Sequence, residues 1–270
     1  MKIAYFIKKS GLSADPSIKA FLKDLAAGGV KVYDVADGLL PDTDMLIAFG
    51  GDGTFLTASG LVCEAGVPIL GINLGRMGFL SDNELGEVLR PLLEGSYTIE
   101  EREMLEVSLD GPGAAKIFPY ALNEVALRRS GAGTLGVDVG IDGAALPTYW
   151  CDGLLVSTST GSTAYSLSVG GPICHPDVGV LIIAPIAPHN LNVRPLIVSP
   201  SAEIEISARD RKNRSVILSV DNKDYTVPAG TCLRVRCAPF SLRRVAIGKS
   251  SFIDALRSKL FWGEDVRNSR

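Results

Sequence analysis

The apolar run Met45–Phe49 leads directly into Gly50-Gly51-Asp52-Gly53-Thr54. Glycines between a strand and a helix let backbone N–H groups approach a phosphate closely, and a helix N-terminus favours negative charge. Gly50, Gly51, Gly53 and Thr54 are therefore candidate phosphate contacts. Asp52 is the odd member, because a carboxylate repels phosphate. It makes sense if it accepts a proton from an attacking hydroxyl or holds a divalent cation that the phosphates share. A tight turn closed by an N-capping aspartate would carry the same residues. A second glycine-rich stretch follows at Gly71-Ile72-Asn73-Leu74-Gly75-Arg76-Met77-Gly78-Phe79-Leu80. There Phe79 either covers a ligand ring or fills the core.

Two further clusters place polar groups among apolar ones. Asn123-Glu124 interrupts the run Tyr120–Leu127. A buried carboxylate without partners is costly, so Glu124 needs a specific partner, and a ribose diol is one candidate. Asn123, with a donor and an acceptor, suits an adenine edge, although a solvent-facing pair at a strand end reads the same way. The segment Cys151–Pro172 carries six hydroxyl side chains between residues 157 and 163. They either cap a helix or bind a ligand. By contrast, Gly131-Ala132-Gly133-Thr134-Leu135-Gly136 fits GxGxxG but precedes an alternating run, Val137–Ile141. The dinucleotide fingerprint requires a helix there, so this stretch reads as a β-hairpin connection.

The elements that position these clusters fall into two halves. Up to residue 97, strands at Ile3–Ile7, Val30–Val35, Met45–Phe49 and Val67–Ile72 alternate with helices. Those helices start at Asp15-Pro16, run over Phe55–Ala65, and run over Asn83–Leu93. This grammar predicts an α/β domain with a Rossmann-like parallel sheet over 1–97. From residue 98 to 251, short β-rich runs predict a mostly antiparallel β-sandwich interrupted by one helix near Ser162–Val169. Phe252–Phe261 reads as a helix, and 252–265 is expected to pack back on the first domain.

Hydrophobic residues make up 46% and charged residues 21%, which is the composition of a packed globular chain rather than a disordered one. The net charge of −3 gives no general basic face for nucleic acid. Lys8 and Lys9 cut the first apolar run short, and Val178–Pro188 is about half the ~20 residues a membrane helix needs, so no membrane association is expected. Five scattered cysteines and only two histidines, His175 and His189, fit reduced thiols in the cytoplasm, with no dedicated metal-ligand set.

Taken together and in order, these motifs resemble the NAD kinase family over nearly the whole chain. The stretch Pro185–Pro195 resembles that family as well. The resemblance implies an ATP-dependent kinase that phosphorylates the 2′-hydroxyl of the adenosine ribose of NAD to give NADP. Mg²⁺ or another divalent cation would accompany ATP, with Asp52 an additional candidate ligand. Asp52 would be the general base. The NAD-binding residues would be Asp52, Gly53, Phe79, Asn123, Glu124, Asp152, Thr163, Ala164, Tyr165, Ser166, Leu167, Ser168 and Asn222. The family also implies a homodimer or homotetramer with a shared active site between domains.

Three positions depart from the family. Thr57 stands where many members have a basic residue, Trp150 where many have a basic or small one, and Ser159 where many have proline. Two other readings remain open on sequence. One is a lipid or sugar kinase of the same superfamily, for which the glycine loop alone would serve equally. The other is a non-catalytic NADP-binding sensor, which would not need Asp52.

Overall fold

The computed structural model describes residues 1–75, 78–111, 116–209, 215–248 and 252–263. Arg76 and Met77 of the second glycine-rich stretch, and residues 264 and 265 of the expected C-terminal helical segment, lie outside the described residues. The chain divides into two compact units, Met1–Glu101 with Leu242–Arg270, and Arg102–Ser241. These boundaries fall inside the strands Thr98–Asp110 and Cys232–Ala246, whereas the sequence analysis placed its divisions at residues 97 and 251.

In the first unit, four strands run parallel in the order Lys31–Asp34, Lys2–Ile7, Met45–Phe49, Ile69–Asn73. Asp15 starts the first helix, Pro16–Ala27, by accepting from the Ser17 N–H at 2.8 Å, with proline in the first turn. That helix turns Ile18, Phe21 and Leu25 toward Ile3, Met45, Ile47 and Phe49, and Leu85–Glu94 adds Val88 and Leu92 to the same cluster. Asp52–Val62 lies against Met45–Phe49 and Ile69–Asn73 and buries Phe55, Ala58 and Val62. All five residues of Met45–Phe49 are buried, which is why that strand reads as an unbroken apolar run.

Two boundaries differ from the sequence expectation. The second helix starts at Asp52, not Phe55, so Asp52, Gly53 and Thr54 form its first turn. Asn83 is not helical. It pairs with Ile72 as a short strand, Asn83–Glu84, and its side-chain amide donates to the Gly71 carbonyl at 3.0 Å.

In the second unit, six antiparallel strands run in the order Leu196–Val198, Leu181–Ile186, Gly153–Thr158, Glu124–Arg129, Ser215–Val220, Lys223–Pro228. Against one face of this sheet, Val125, Leu127, Leu154, Val156 and Leu218 meet Leu135, Val137, Val139, Ile204, Ile206 and Leu233 from the facing strands. This is the core of a sandwich. The intervening residues Ala126, Leu155, Ile182 and Ala184 point the other way and are covered by Tyr165 and Val169. Period-two alternation thus sends both sets inward, and the segment 160–171 is laid against the sheet beside Glu124.

Three expectations are corrected here. The run Tyr120–Leu127 is two strands, Tyr120–Ala121 and Glu124–Arg129, because Leu122 and Asn123 give their N–H groups to Asp221 instead of a neighbouring strand. The link 130–134 is not a hairpin connection, since it joins Glu124–Arg129 of one sheet to Leu135–Ile141 of the other. The expected helix near Ser162–Val169 is a 3-10 turn, Thr160–Thr163, followed by a four-residue helix, Tyr165–Ser168, with non-helical Ala164 between them.

Phe49 is wholly buried, and its ring meets Phe21 edge-on at 5.9 Å. Phe49→Ala is expected to lower unfolding stability by about 3–5 kcal/mol in urea titration.

Candidate active site

The glycine loop in the first unit is built around its own helix. Gly50 has φ +148 and donates its N–H to the Ile72 carbonyl at 2.9 Å. A Cβ there would collide with Thr54, so this sharp exit from the strand requires glycine. Gly51 is the N-cap, and its carbonyl accepts from the Thr54 and Phe55 N–H groups at 2.8 and 3.1 Å. Thr57, one turn on, donates to the Gly53 carbonyl at 3.0 Å and accepts from the Lys8 ammonium at 3.1 Å. Thr57 thus holds the Lys8 ammonium, from the exit of the first strand, beside this helix. Lys8 carries no local signal that would have revealed this.

Asp52 turns away from solvent into the second glycine-rich stretch. Its Oδ2 accepts from the Phe79 N–H at 2.8 Å, and its Oδ1 accepts from Leu80 and Ser81 at 3.0 and 2.9 Å. A Cβ on Gly78 would overlap this carboxylate, which explains the glycine in that motif. The Phe79 ring faces Phe252 at 6.3 Å and the Lys259 ammonium at 4.6 Å. Behind the loop, the guanidinium of buried Arg244 bonds Asp82 and Glu100, the latter at 2.6 Å. Burial works against the Arg244 charge, and these two carboxylates outweigh it and raise its pKa.

The second unit gathers the dinucleotide candidates. Asp221, at φ +49 in the turn after Ser215–Val220, accepts from the N–H groups of Leu122, Asn123 and Glu124 at 2.8, 2.9 and 3.2 Å. Burial pushes its carboxyl up to about 6, against those three hydrogen bonds. The neighbouring Asn222, expected from the family resemblance to contact the dinucleotide, is exposed in the same turn.

Glu124 is pushed up to about 8 by burial and then by the charge of Asp221, while the Tyr165 N–H opposes the rise. Among the described residues its buried Oε2 has no hydrogen-bond partner, and neither has the buried Ser166 hydroxyl. Buried polar atoms are rarely left unpaired, so both are suited to ligand hydroxyl or amino groups.

The hydroxyl-rich segment makes a set of hydrogen bonds to distant backbone. Thr158 Oγ1 donates to the Leu122 carbonyl at 2.6 Å, and Ser157 Oγ donates to the Asn123 carbonyl at 3.1 Å. Ser162 Oγ binds Cys174 through both its N–H and its carbonyl, at 3.0 and 3.2 Å. Thr163 Oγ1 donates to the Thr160 carbonyl at 3.4 Å, and Ser159 donates to the Val178 carbonyl. Thr158 Oγ1 also accepts from the Gly161 N–H at 3.1 Å, in the first turn of Thr160–Thr163, whereas the N-cap residues Ser159 and Ala164 make no side-chain cap bond among the described residues. These hydroxyls fasten Leu122–Asn123 and the loop before Val178. Within the run, Thr163, Ala164, Tyr165 and Leu167 are half-buried and Ser168 is exposed.

Asp152 is held by the Arg129 guanidinium, at 2.7 Å from Nε and 2.9 Å from Nη2. Together with Arg128, Ser130, Gly131, Tyr165 and Ile186 they line a cavity of about 310 Å³. Asp152 and Tyr165 thus line one place with Arg128 and Arg129. Trp150 lays its ring on Gly136, and its backbone ties down His189 and Asn190.

Known proteins resemble this chain over most of its length. The ATP-NAD kinase N-terminal domain matches residues 32–97, and the ATP-NAD kinase C-terminal domain matches 122–247. A curated NAD kinase of Bacteroides fragilis is 42% identical over 251 residues, covering 92% of this chain and 86% of that protein. The chain belongs to the ATP-NAD kinase family. Solved structures agree with this. A yeast NADH kinase complexed with NADH aligns with TM-score 0.88 at 26% identity, covering 100% of this chain and 90% of that one. An NAD kinase from Archaeoglobus fulgidus in complex with ATP aligns with TM-score 0.77 at 27% identity, covering 96% and 99%. Within this ATP-NAD kinase chain, Asp52 and Phe79 lie in the N-terminal match, and Asn123 through Asn222 lie in the C-terminal one.

The raised pKa of Glu124 has a consequence for stability. Its folded value, about 8, lies above the ordinary carboxyl value of 4.5, so between these pH values the folded state binds more protons than the unfolded one. The stability linked to this proton is present below pH ~4.5 and is lost as pH rises through ~8. Melting temperature is expected to fall over that window in the ligand-free protein. Glu124→Gln, which cannot ionise, should flatten the fall in a scanning-calorimetry series.

Proposed function

We propose that this chain transfers the γ-phosphate of ATP to the 2′-hydroxyl of the adenosine ribose of NAD, giving NADP, with Asp52 as the general base. The observation that carries this reading is Asp52 itself. Its carboxylate stands in the first turn of a helix that opens from a glycine loop, and it is fixed by three peptide N–H groups. A carboxylate offers about four lone-pair positions, so roughly one remains, on Oδ2, to accept the hydroxyl proton as oxygen attacks phosphorus. Phosphoryl transfer needs little more than such positioning and charge neutralisation. The helix N-terminus and Lys8 supply positive potential for the triphosphate.

The acceptor's ribose and base suit Asn123 and the buried polar atoms of Glu124 and Ser166 that have no partner among the described residues, and Asp152 and Tyr165, which line one cavity, suit the far end of the dinucleotide. Among the described residues no three carboxylate, histidine or cysteine groups converge on a metal position. Mg²⁺ would enter with the ATP phosphates, with Asp52 as an additional candidate ligand. The edge strand Leu196–Val198 exposes Leu196 and Ile197, and Leu191 is 88% exposed, an apolar edge suited to a second copy in a homodimer or homotetramer. Five free cysteines and ATP as donor fit the cytoplasm. No helix among the described residues is long and apolar enough to cross a membrane.

The test is NADP formation from NAD, ATP and Mg²⁺, reported by glucose-6-phosphate dehydrogenase, with NADH and polyphosphate in parallel. Asp52→Asn is expected to lower kcat by about a hundredfold or more while calorimetric NAD binding persists. Binding without turnover in the wild type would overturn the reading in favour of a sensor.

A further inference from the structure

Each N–H that holds Asp52 belongs to a peptide group with a carbonyl at its other end. The Phe79 N–H, donating to Oδ2 at 2.8 Å, shares its peptide with the Gly78 carbonyl. That carbonyl accepts a hydrogen bond from the Lys259 ammonium, on the helix Phe252–Leu260. The Ser81 N–H, donating to Oδ1 at 2.9 Å, shares its peptide with the Leu80 carbonyl, which accepts from Arg244 Nε at 3.4 Å. Two of the three peptides therefore have a cation at the oxygen end and the Asp52 carboxylate at the nitrogen end.

A cation on a peptide oxygen polarises the group and makes its N–H a better donor, so the two hydrogen bonds strengthen each other. Lys259 occupies this position at a cost. Burial lowers its pKa, although Asp82 and Asp52 nearby favour its charge. Its ammonium is also steadied 4.6 Å from the Phe79 ring centroid, a cation–π distance. Arg244 lies within the matched family segment 122–247, whereas Lys259 lies beyond it.

We infer that Lys259 is a positioning residue for phosphoryl transfer, orienting and polarising the Gly78–Phe79 peptide so that the Phe79 N–H fixes Asp52 Oδ2 toward the acceptor hydroxyl. This rests on Asp52 being the reacting carboxylate. The proton taken from the hydroxyl goes to Asp52, and Lys259 keeps its own throughout.

The experiment compares Lys259→Met, Lys259→Arg, Asp52→Asn and the double variant Asp52→Asn/Lys259→Met in the full chain, by steady-state kinetics and thermal melting. Methionine keeps the apolar stem beside Phe79 and Phe252 but removes the charge. Lys259→Met is expected to lower kcat by about tenfold to a hundredfold, the scale of one charge-assisted hydrogen bond, with KM for NAD changed by less than about twofold. Lys259→Arg should restore most of that rate. In the Asp52→Asn background the Lys259→Met change should cost less than about twofold, because the bond it serves is already lost. An unchanged kcat in Lys259→Met would overturn the inference. So would equal losses in both backgrounds with a lowered melting temperature, which would mark a merely structural lysine. A wild type that forms no NADP would overturn both this inference and the reading beneath it, whereas an active wild type with an insensitive Lys259→Met overturns the inference alone.

Discussion

Two carboxylates, each accepting three consecutive backbone N–H groups, are what the functional loops depend on. Asp52 takes those of Phe79, Leu80 and Ser81, and Asp221 takes those of Leu122, Asn123 and Glu124. All but Glu124 of these six residues lie outside any strand, and leaving such N–H groups unpaired in a buried place would cost far more than an ordinary hydrogen bond returns. An ionised oxygen is the stronger acceptor, so one aspartate can hold an otherwise irregular stretch in a single shape. The glycines follow from this arrangement. Gly78 leaves room for the Asp52 carboxylate, and Gly161 leaves room for the Asn123 carbonyl.

The same device is used to different ends. Asp221 is enclosed, and it breaks the strand at Leu122–Asn123, which presents Asn123 and Glu124 at the sheet's end. Glu124 then carries the unresolved cost, with a buried oxygen that lacks a partner and a carboxyl pushed up to about 8. Such a group is poised for a hydroxyl-rich ligand, at the expense of stability near neutral pH. Asp52 accepts one N–H on Oδ2 and two on Oδ1, which leaves an acceptor position on Oδ2.

Much of this was legible in the sequence where the signal was local. Met45–Phe49, buried on both faces, reads as a continuous apolar run. Asp15-Pro16 announces its helix, and the ordered motifs from Gly50 to Pro172 point to the family. What was hidden came from pairs distant along the chain. The Asn123-Glu124 break cannot be seen without Asp221, nearly a hundred residues on, and the hydroxyls of 157–163 look like caps until their partners at Leu122, Cys174 and Val178 are known. Lys8, Arg129 and Lys259 carry no motif that names their partners. Only the fold assigns them to Thr57, Asp152 and the Gly78 carbonyl.

The most direct measurement of this account is amide hydrogen exchange, resolved by residue, in the wild type and in Asp52→Ala and Asp221→Ala. Slow exchange at residues 79–81 and 122–124 in the wild type is predicted. Asp52→Ala should release only the first group and Asp221→Ala only the second. Fast exchange at these six amides in the wild type, or protection that survives the loss of the carboxylate, would contradict the claim that these two side chains hold the loops in place.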